Sequence, residues 1–167
     1  EYIQKVNFPF LCSPIVYENF IVAGDKEGWI YLFSQLLSIK KKTKLHGGIY
    51  HLLPVNDHLY AFTSAGILYC IDALDFTVVS KIIINIKPDL DMYHYKTAVF
   101  YENRILIGTG TGELLFITLE KLEIDRRLKL SDSPVSCSVY PHNKSLFIGT
   151  QDGEIIRIQK ALQEEGE

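Results

Sequence analysis

The sequence lacks the long apolar run that a membrane span requires. A transmembrane helix needs about 18 or more consecutive apolar residues, and no run in the 167-residue chain approaches that length. The chain also lacks a basic bias, since 17 Lys and Arg stand against 20 Asp and Glu. A nucleic-acid partner would need a strong basic patch. We therefore expect neither a membrane span nor a nucleic-acid partner.

Cysteine is scarce, and its three positions share one character. Cys12, Cys70 and Cys137 each lie among apolar neighbours in a predicted strand. An odd number of cysteines without a short spacing is typical neither of a disulfide framework nor of a zinc site. We therefore expect three buried thiols. Free thiols favour a cytoplasmic location, and a periplasmic one stays open if a signal peptide has been removed.

Catalytic signatures are missing as well. The sequence has no Gly-x-Ser-x-Gly, Cys-x-x-Cys or His-Glu-x-x-His motif. The stretch 108–112 is rich in glycine but joins two predicted strands, whereas a phosphate site needs a following helix. His46, His51 and His58 have spacings of 5 and 7 and no carboxylate or thiol placed on the same strand face. We expect no enzyme, no bound metal and no cofactor.

The sequence does contain one pattern repeated four times, an apolar strand, a short turn that ends in glycine, and a second apolar strand. The marker glycines Gly28, Gly66, Gly112 and Gly153 are 38, 46 and 41 residues apart. Those spacings bracket the period of about 40–45 residues found in the four-stranded blades of propellers. Glycine suits the turn because a tight hairpin requires a positive φ.

Each repeat predicts four strands, which we label a to d. Strand a is expected at 12–17, 49–55, 97–101 and 135–140. Strand b carries the first apolar run, and strand c follows the marker glycine. Strand d is more polar and is expected at 38–45, 76–84 and 122–130. The lysines at 40–42 mark it as an outer edge, where lysine discourages pairing with other sheets.

The four repeats predict an all-β protein, a β-propeller of four blades with four antiparallel strands each, in a single domain over 1–167. The blades are expected at about 9–45, 46–84, 95–130 and 131–159, followed by a polar tail at 160–167. The fourth repeat has no good strand d, and residues 1–6 resemble the other d strands. We expect this N-terminal strand to complete the last blade. The alternative is a four-blade portion of a larger propeller, with residues 1–6 in a preceding blade.

The repeats resemble the blades of quinoprotein-like and WD-type β-propellers. The resemblance is carried by Ile-Gly-Thr-Gly-Thr-Gly-Glu-Leu at 107–114 and by Phe-Ile-Gly-Thr-Gln-Asp-Gly-Glu-Ile at 147–155. It implies the propeller fold and the binding of partners on one face. No repeat ends in Trp-Asp, and the tryptophan docking motif of quinoprotein dehydrogenases is absent. The resemblance therefore implies no cofactor-dependent dehydrogenase.

The longest connection between repeats, residues 85–96, is the candidate recognition site. Long loops in compact domains are often functional, and this one lies on the face that d–a and b–c loops share in a propeller. The candidate partner-binding residues are Asp89, Asp91, Tyr93, His94 and Tyr95, with Asp132 on the corresponding loop of the fourth repeat. The alternative is a loop that only packs over its blade.

These observations favour a non-catalytic β-propeller that acts as a protein-interaction or assembly module through one face of the ring. Two alternatives stay open. One is a ligand-binding or enzymatic quinoprotein-like propeller whose polar groups converge on the central channel. The other is a half-ring that completes a larger propeller with another chain or domain, in which case exposed apolar end faces would make the isolated chain self-associate.

Overall fold

The computed structural model describes residues 2–84 and 98–159, which form fifteen β-strands and no helix. The chain divides into two compact units, residues 1–92 and 93–167. Unit 1 contains two four-stranded antiparallel sheets, and unit 2 contains one four-stranded and one three-stranded sheet. We call these sheets blades one to four in chain order. The predicted all-β, four-repeat architecture is confirmed.

The strand order within each blade follows the sequence. Blade one contains β1 (Ile15–Tyr17), β2 (Phe20–Gly24), β3 (Trp29–Ser34) and β4 (Ile39–Lys44). Blade two contains β5 (Ile49–Val55), β6 (His58–Thr63), β7 (Ile67–Asp72) and β8 (Val78–Ile83). Blade three contains β9 (Val99–Tyr101), β10 (Arg104–Gly108), β11 (Glu113–Thr118) and β12 (Glu123–Lys129). Blade four contains β13 (Tyr140–His142), β14 (Ser145–Gly149) and β15 (Ile155–Gln159).

The first hairpin of every blade turns over two residues. In blade one, for example, Tyr17 pairs with Phe20, and the other blades follow the same register. Each turn contains one asparagine, and three of these have a positive φ, namely Asn56, Asn103 and Asn143. Asparagine enters the left-handed region more readily than most residues, so this turn is encoded locally in each repeat.

The second hairpin turns at the marker glycines, whose φ values are 92°, 71°, 74° and 85° in chain order. In three blades the glycine carbonyl also accepts a hydrogen bond from the residue that follows the outer strand. The donors are the backbone N–H groups of Leu45, Ile84 and Leu130, each 2.9 Å from its glycine oxygen. The predicted glycine turns are therefore confirmed, and each of these three is tied to the end of its outer strand.

Within each unit, the second blade meets the first through one residue at its N-terminal side, Ile49 at the start of β5 and Val135 in the segment that precedes β13. The N–H of Ile49 donates to the carbonyl of Asp25 at 2.9 Å, and its side chain lies against Gly24, where a Cβ would overlap it. The N–H of Val135 donates to the carbonyl of Thr109 at 3.0 Å, and its side chain lies against Gly108 in the same way. Both units therefore use the same contact between neighbouring blades.

An apolar cluster fills each of these blade–blade contacts. In unit 1 it includes Val22, Ile30, Leu59 and Tyr69, and in unit 2 Leu106, Leu114, Leu146 and Ile148, all buried. Burial of apolar surface stabilises a fold by about 25 cal/mol per Å². These clusters are therefore the main source of stability that the described residues provide within each unit.

The predicted N-terminal strand does not form in the described structure. Residues 2–9 contain no strand, and β15 pairs only with β14 among the strands described. Val6 and Phe10 pack on blade one, where Phe10 meets Tyr31 and Phe33 edge-on. Val6 and Phe10 are four residues apart, as are Leu45, which follows the strand d of blade one, and Ile49, which begins β5. By this alignment, residues 2–6 stand where a strand d would precede blade one. They lack a neighbouring strand c to supply the hydrogen bonds of a ladder.

Two smaller expectations also need correction. The first strand is as predicted in blade two, but β1, β9 and β13 have only three residues each. In blade one, Pro14 contributes to this, because proline has no N–H to donate to a ladder. Cys12 and Cys70 are buried as predicted, whereas Cys137 is exposed. The cause is that Cys137 lies on a face of blade four that no described element covers.

Candidate interaction face

The b–c turns and the linkers that lead into the next blade lie together at one end of each pair of blades. We call this end the turn face. In unit 1 it comprises residues 25–28, 46–48 and 64–66, and in unit 2 residues 109–112, 131–134 and 150–153. The linkers are held on the turns by backbone hydrogen bonds, such as Ser64 N–H to Gly48 at 2.8 Å and Gln151 N–H to Pro134 at 2.8 Å. The turn face is therefore built on well-anchored backbone.

Asp25 is a carboxylate at the base of this face, and it is fully buried. Its Oδ1 accepts hydrogen bonds from the N–H groups of Glu27 and Trp29, each at 2.9 Å. Its Oδ2 accepts the hydroxyl of Tyr31 at 2.9 Å. A buried carboxylate is tolerated when its oxygens are satisfied in this way. Asp25 therefore holds the turn together, and its oxygens are already engaged within the repeat.

The other three blades have threonine at the position of Asp25, namely Thr63, Thr109 and Thr150, and all three are buried. Thr109 Oγ1 accepts the N–H of Glu113 at 3.0 Å, and Thr150 Oγ1 accepts the N–H of Glu154 at 3.2 Å. Thr63 Oγ1 instead donates to the carbonyl of Ile67 at 3.2 Å. The polar residue at this position is thus bonded across the b–c turn through its side chain in all four blades. Sequence reasoning missed this role, although the alignment of the repeats places an oxygen-bearing side chain there every time.

Burial, together with the hydrogen bond and charge of Asp25, raises the pKa of Tyr31 from 10.0 to about 12. The unfolded chain loses this proton near pH 10, whereas the folded chain keeps it until about pH 12. The resulting stability is fully present below pH 10 and is lost as the pH rises from 10 to 12. Between pH 10 and pH 12, we expect the melting temperature of Tyr31→Phe to fall less than that of the wild type. Equal losses in thermal melts of the two proteins would contradict this coupling.

On unit 2, the turn face carries a polar network that ends in an exposed carboxylate. Lys129 Nζ lies 2.8 Å from the carbonyl of Thr111 and 3.2 Å from Oδ1 of Asp132. Ser131 Oγ donates to Oε2 of Glu154 at 2.9 Å, which joins the linker to the turn of blade four. The side chain of Asp132 is fully exposed. An exposed ion pair contributes little to stability, so Asp132 is available to an approaching partner.

Of the predicted partner-binding residues, Asp132 is the one that the structure describes. Asp89, Asp91, Tyr93, His94 and Tyr95 lie outside the described residues, because the description stops at 84 and resumes at 98. Their role, and their proximity to Asp132, stay predictions.

Sequence reasoning also missed a cavity of about 170 Å³ between blades three and four, at the end opposite the turn face of unit 2. Its lining includes the ion pair in which Arg104 Nε lies 2.9 Å from Asp125 Oδ2. In unit 1 the corresponding place is filled by Phe20, Ala73 and Phe76, which pack in the apolar cluster. The counterparts of Ala73 and Phe76 in blade four would follow Gln159, outside the described residues. We therefore assign no ligand to this cavity.

The described residues offer little for chemistry. Nowhere in 2–84 and 98–159 do three His, Cys, Asp or Glu side chains come together as a metal ion would require. Burial raises the pKa of the Cys70 thiol, which disfavours the nucleophilic thiolate. The same residues include no helix with the length and apolarity needed to cross a bilayer.

Comparison with known proteins shows the fold. No family model and no curated protein matches the sequence. Among solved structures, the computationally designed protein Ika4 superposes with a TM-score of 0.74 at 12% identity, covering 94% of each chain. BamB from Moraxella catarrhalis gives 0.77 at 11% identity over 90% of this chain and 50% of its own. Sqt1 from Saccharomyces cerevisiae gives 0.73 at 14% identity over 90% and 44%.

These similarities support the class of protein that the repeats predict. The chain has a β-propeller fold, with antiparallel sheets that are not joined by a closing strand in the described residues. It spans about half the length of BamB and of Sqt1. At identities this low the likeness shows the fold alone, so the choice between quinoprotein-like and WD-type repeats stays a prediction.

Proposed function

We propose that this chain is a non-catalytic β-propeller module that binds a protein partner, or organises an assembly, through its turn face. The proposal rests on the difference between the buried and the exposed polar groups of that face. The buried ones, Asp25, Thr109 and Thr150, are engaged in their own turns. The exposed ones are charged tips such as Lys26 and Asp132. Exposed charged side chains on loops that a rigid base positions are a common arrangement for a binding site.

Net charge and the candidate loop define the kind of partner. The chain carries a net charge of −3, so a protein surface suits it better than a nucleic acid. The loop at 85–96 belongs to the same type of connection as residues 131–134. We place the recognition residues on these two linkers, with Asp89, Asp91, Tyr93, His94 and Tyr95 on the first and Asp132 on the second.

The test is capture of partners by the immobilised chain, compared across matched variants. We expect Tyr93→Ala combined with His94→Ala, and separately Asp132→Lys, to reduce the captured protein at least tenfold. A large aromatic contact and a reversed charge in an interface each cost about 2 kcal/mol or more. The melting temperature should stay unchanged for Asp132→Lys, because that side chain is fully exposed.

Glu120→Lys is the matched control, since Glu120 is also exposed in unit 2 but lies in the c–d turn of blade three. This variant makes the same change of charge away from the turn face and should capture the partner normally. Loss of capture in Glu120→Lys, or normal capture by both turn-face variants, would overturn the assignment of the site.

A further inference from the structure

Blade four presents a face whose counterparts in other blades are buried. Aligned on the marker glycines, Ile155 corresponds to Ile30 and Leu114. Ile155 is 81% exposed, whereas Ile30 and Leu114 are 0% exposed because the following blade covers them. Cys137 shows the same contrast with its counterpart Cys12, which is 6% exposed. We call the side of blade four that carries Cys137, Phe147 and Ile155 the open face.

Two glycines on blade four show that the open face is shaped for a following blade. Gly24 and Gly108 receive the side chains of Ile49 and Val135 from the next blade. Their counterpart Gly149 has only Cys137 and Glu154 of its own blade nearby, and the marker glycine Gly153 has nothing within 4 Å of a Cβ position. Blade four therefore has the two glycine positions of such a contact without a described residue of another blade beside them.

Blade one carries the matching surface. Its residues Ile21, Ala23, Tyr31 and Phe33 correspond to Leu59, Ala61, Tyr69 and Ile71 of blade two. In blade two, these four residues pack in the cluster that joins it to blade one. The alanine and the tyrosine are the same in both blades. Ala23, Tyr31 and Phe33 are buried within this chain, with Val6 packed against them and Phe10 against the two rings. Blade one therefore brings to an open face the side chains that blade two uses, together with its own N-terminal segment.

The N-terminal segment completes the match. Val6 and Phe10 have the spacing of Leu45 and Ile49 and pack on blade one, where Phe10 remains 39% exposed. Residues 2–5 are exposed and form no strand. Conversely, β15 has no described partner beyond β14, so its outer edge offers unpaired backbone groups.

We propose that the open face of blade four is covered by blade one of a second copy of this chain. Residues 2–6 of that copy pair with β15 as a fourth strand, and Val6 donates its N–H to the carbonyl of Gly153, as Leu45 does to Gly28. Phe10 of that copy occupies the space beside Gly149. Each copy has one open face and one matching surface, so the contact runs head to tail, and a pair of copies is the smallest closed ring that satisfies both. We propose that smallest ring.

The experiment is light scattering coupled to size exclusion over a dilution series of the full chain. We expect a mass twice the 19.1 kDa of one chain. Ile155→Glu should shift the protein to a single chain, because a buried unpaired charge raises the dissociation constant roughly hundredfold or more. Its far-UV circular dichroism should be unchanged, since Ile155 is largely exposed within one chain.

Ile83→Glu is the matched control. Ile83 is an exposed isoleucine, 67% accessible, on the outer strand of blade two, and its replacement should leave the dimer intact. A variant lacking residues 1–6 should behave like Ile155→Glu. A single-chain mass for the wild type at every concentration, a series of larger species, or a dimer that survives Ile155→Glu would overturn the proposal.

This inference does not depend on the proposed function. Asp132→Lys and Glu120→Lys change none of the residues that define the open face, and both variants should remain dimeric. A dimer that captures no partner would support the proposed dimer and contradict the proposed function. A single chain that captures a partner would support the function and contradict the dimer.

Discussion

Asp25→Ala should lower the free energy of unfolding by roughly 3 kcal/mol, because it leaves one buried and two partly buried donors without an acceptor. The donors are the N–H groups of Glu27 and Trp29 and the hydroxyl of Tyr31. The turn also anchors blade two, since the carbonyl of Asp25 accepts the N–H of Ile49. Urea denaturation followed by circular dichroism measures the loss, and a shift below about 0.5 kcal/mol, the usual size for surface changes, would contradict this role.

The repeat itself supplies the control for Asp25. Asp25→Thr installs the residue that the other three blades use, so the N–H groups of the turn regain an acceptor while the hydroxyl of Tyr31 loses its own. Combining Asp25→Thr with Tyr31→Phe removes that orphaned hydroxyl. We expect the double variant to be more stable than Asp25→Thr alone by about 1 kcal/mol. A double variant less stable than the single one would show that the Tyr31 hydroxyl has another partner.

Much of the fold could be predicted because each repeat encodes its own turns. The marker glycines and the turn asparagines act over two to four residues, and the structure confirms both hairpins in all four blades. The short first strands were less predictable, because their length depends on the blade before them. The N-terminal strand was hard to predict for a similar reason. A strand d forms only beside a strand c, and the sequence of residues 1–6 does not say where that strand c comes from.

Less of the candidate site could be predicted. Asp132 was a candidate because of its place in the loop that leads into the fourth repeat, and its side chain is exposed in the structure, while its role in binding stays a prediction. The turn-supporting role of Asp25 did not follow, because a charged residue in a turn is usually solvated. Only the aligned threonines and the distant Tyr31 identify it as buried. The exposure of Cys137 could not be predicted either, because it depends on whether another element covers that side of blade four and not on local sequence.

Gly108→Ala should be the second severe change, with a loss of about 3 kcal/mol, the upper range for overpacking a core. A Cβ at Gly108 would overlap the side chain of Val135, which is fully buried between blades three and four. Val135 cannot withdraw, because its N–H is bonded to the carbonyl of Thr109 at 3.0 Å. Urea denaturation should show the lowered midpoint. Gly24→Ala, where Ile49 occupies the same place in unit 1, should cause a loss of similar size.

Changing Val135 tests whether overlap with its side chain causes this loss of stability. Val135→Ala alone should destabilise the chain, because it leaves a cavity in the cluster of unit 2. In a Gly108→Ala background, the same change removes the overlapping Cγ1 methyl group but keeps the overlapping Cβ of residue 135, so it should recover part of the lost stability. The two substitutions should therefore be coupled by about 1–3 kcal/mol in a double-mutant cycle. Simple additivity would mean that Gly108 is required for its backbone conformation instead. That outcome is not expected, because its φ lies outside the positive range of the marker glycines.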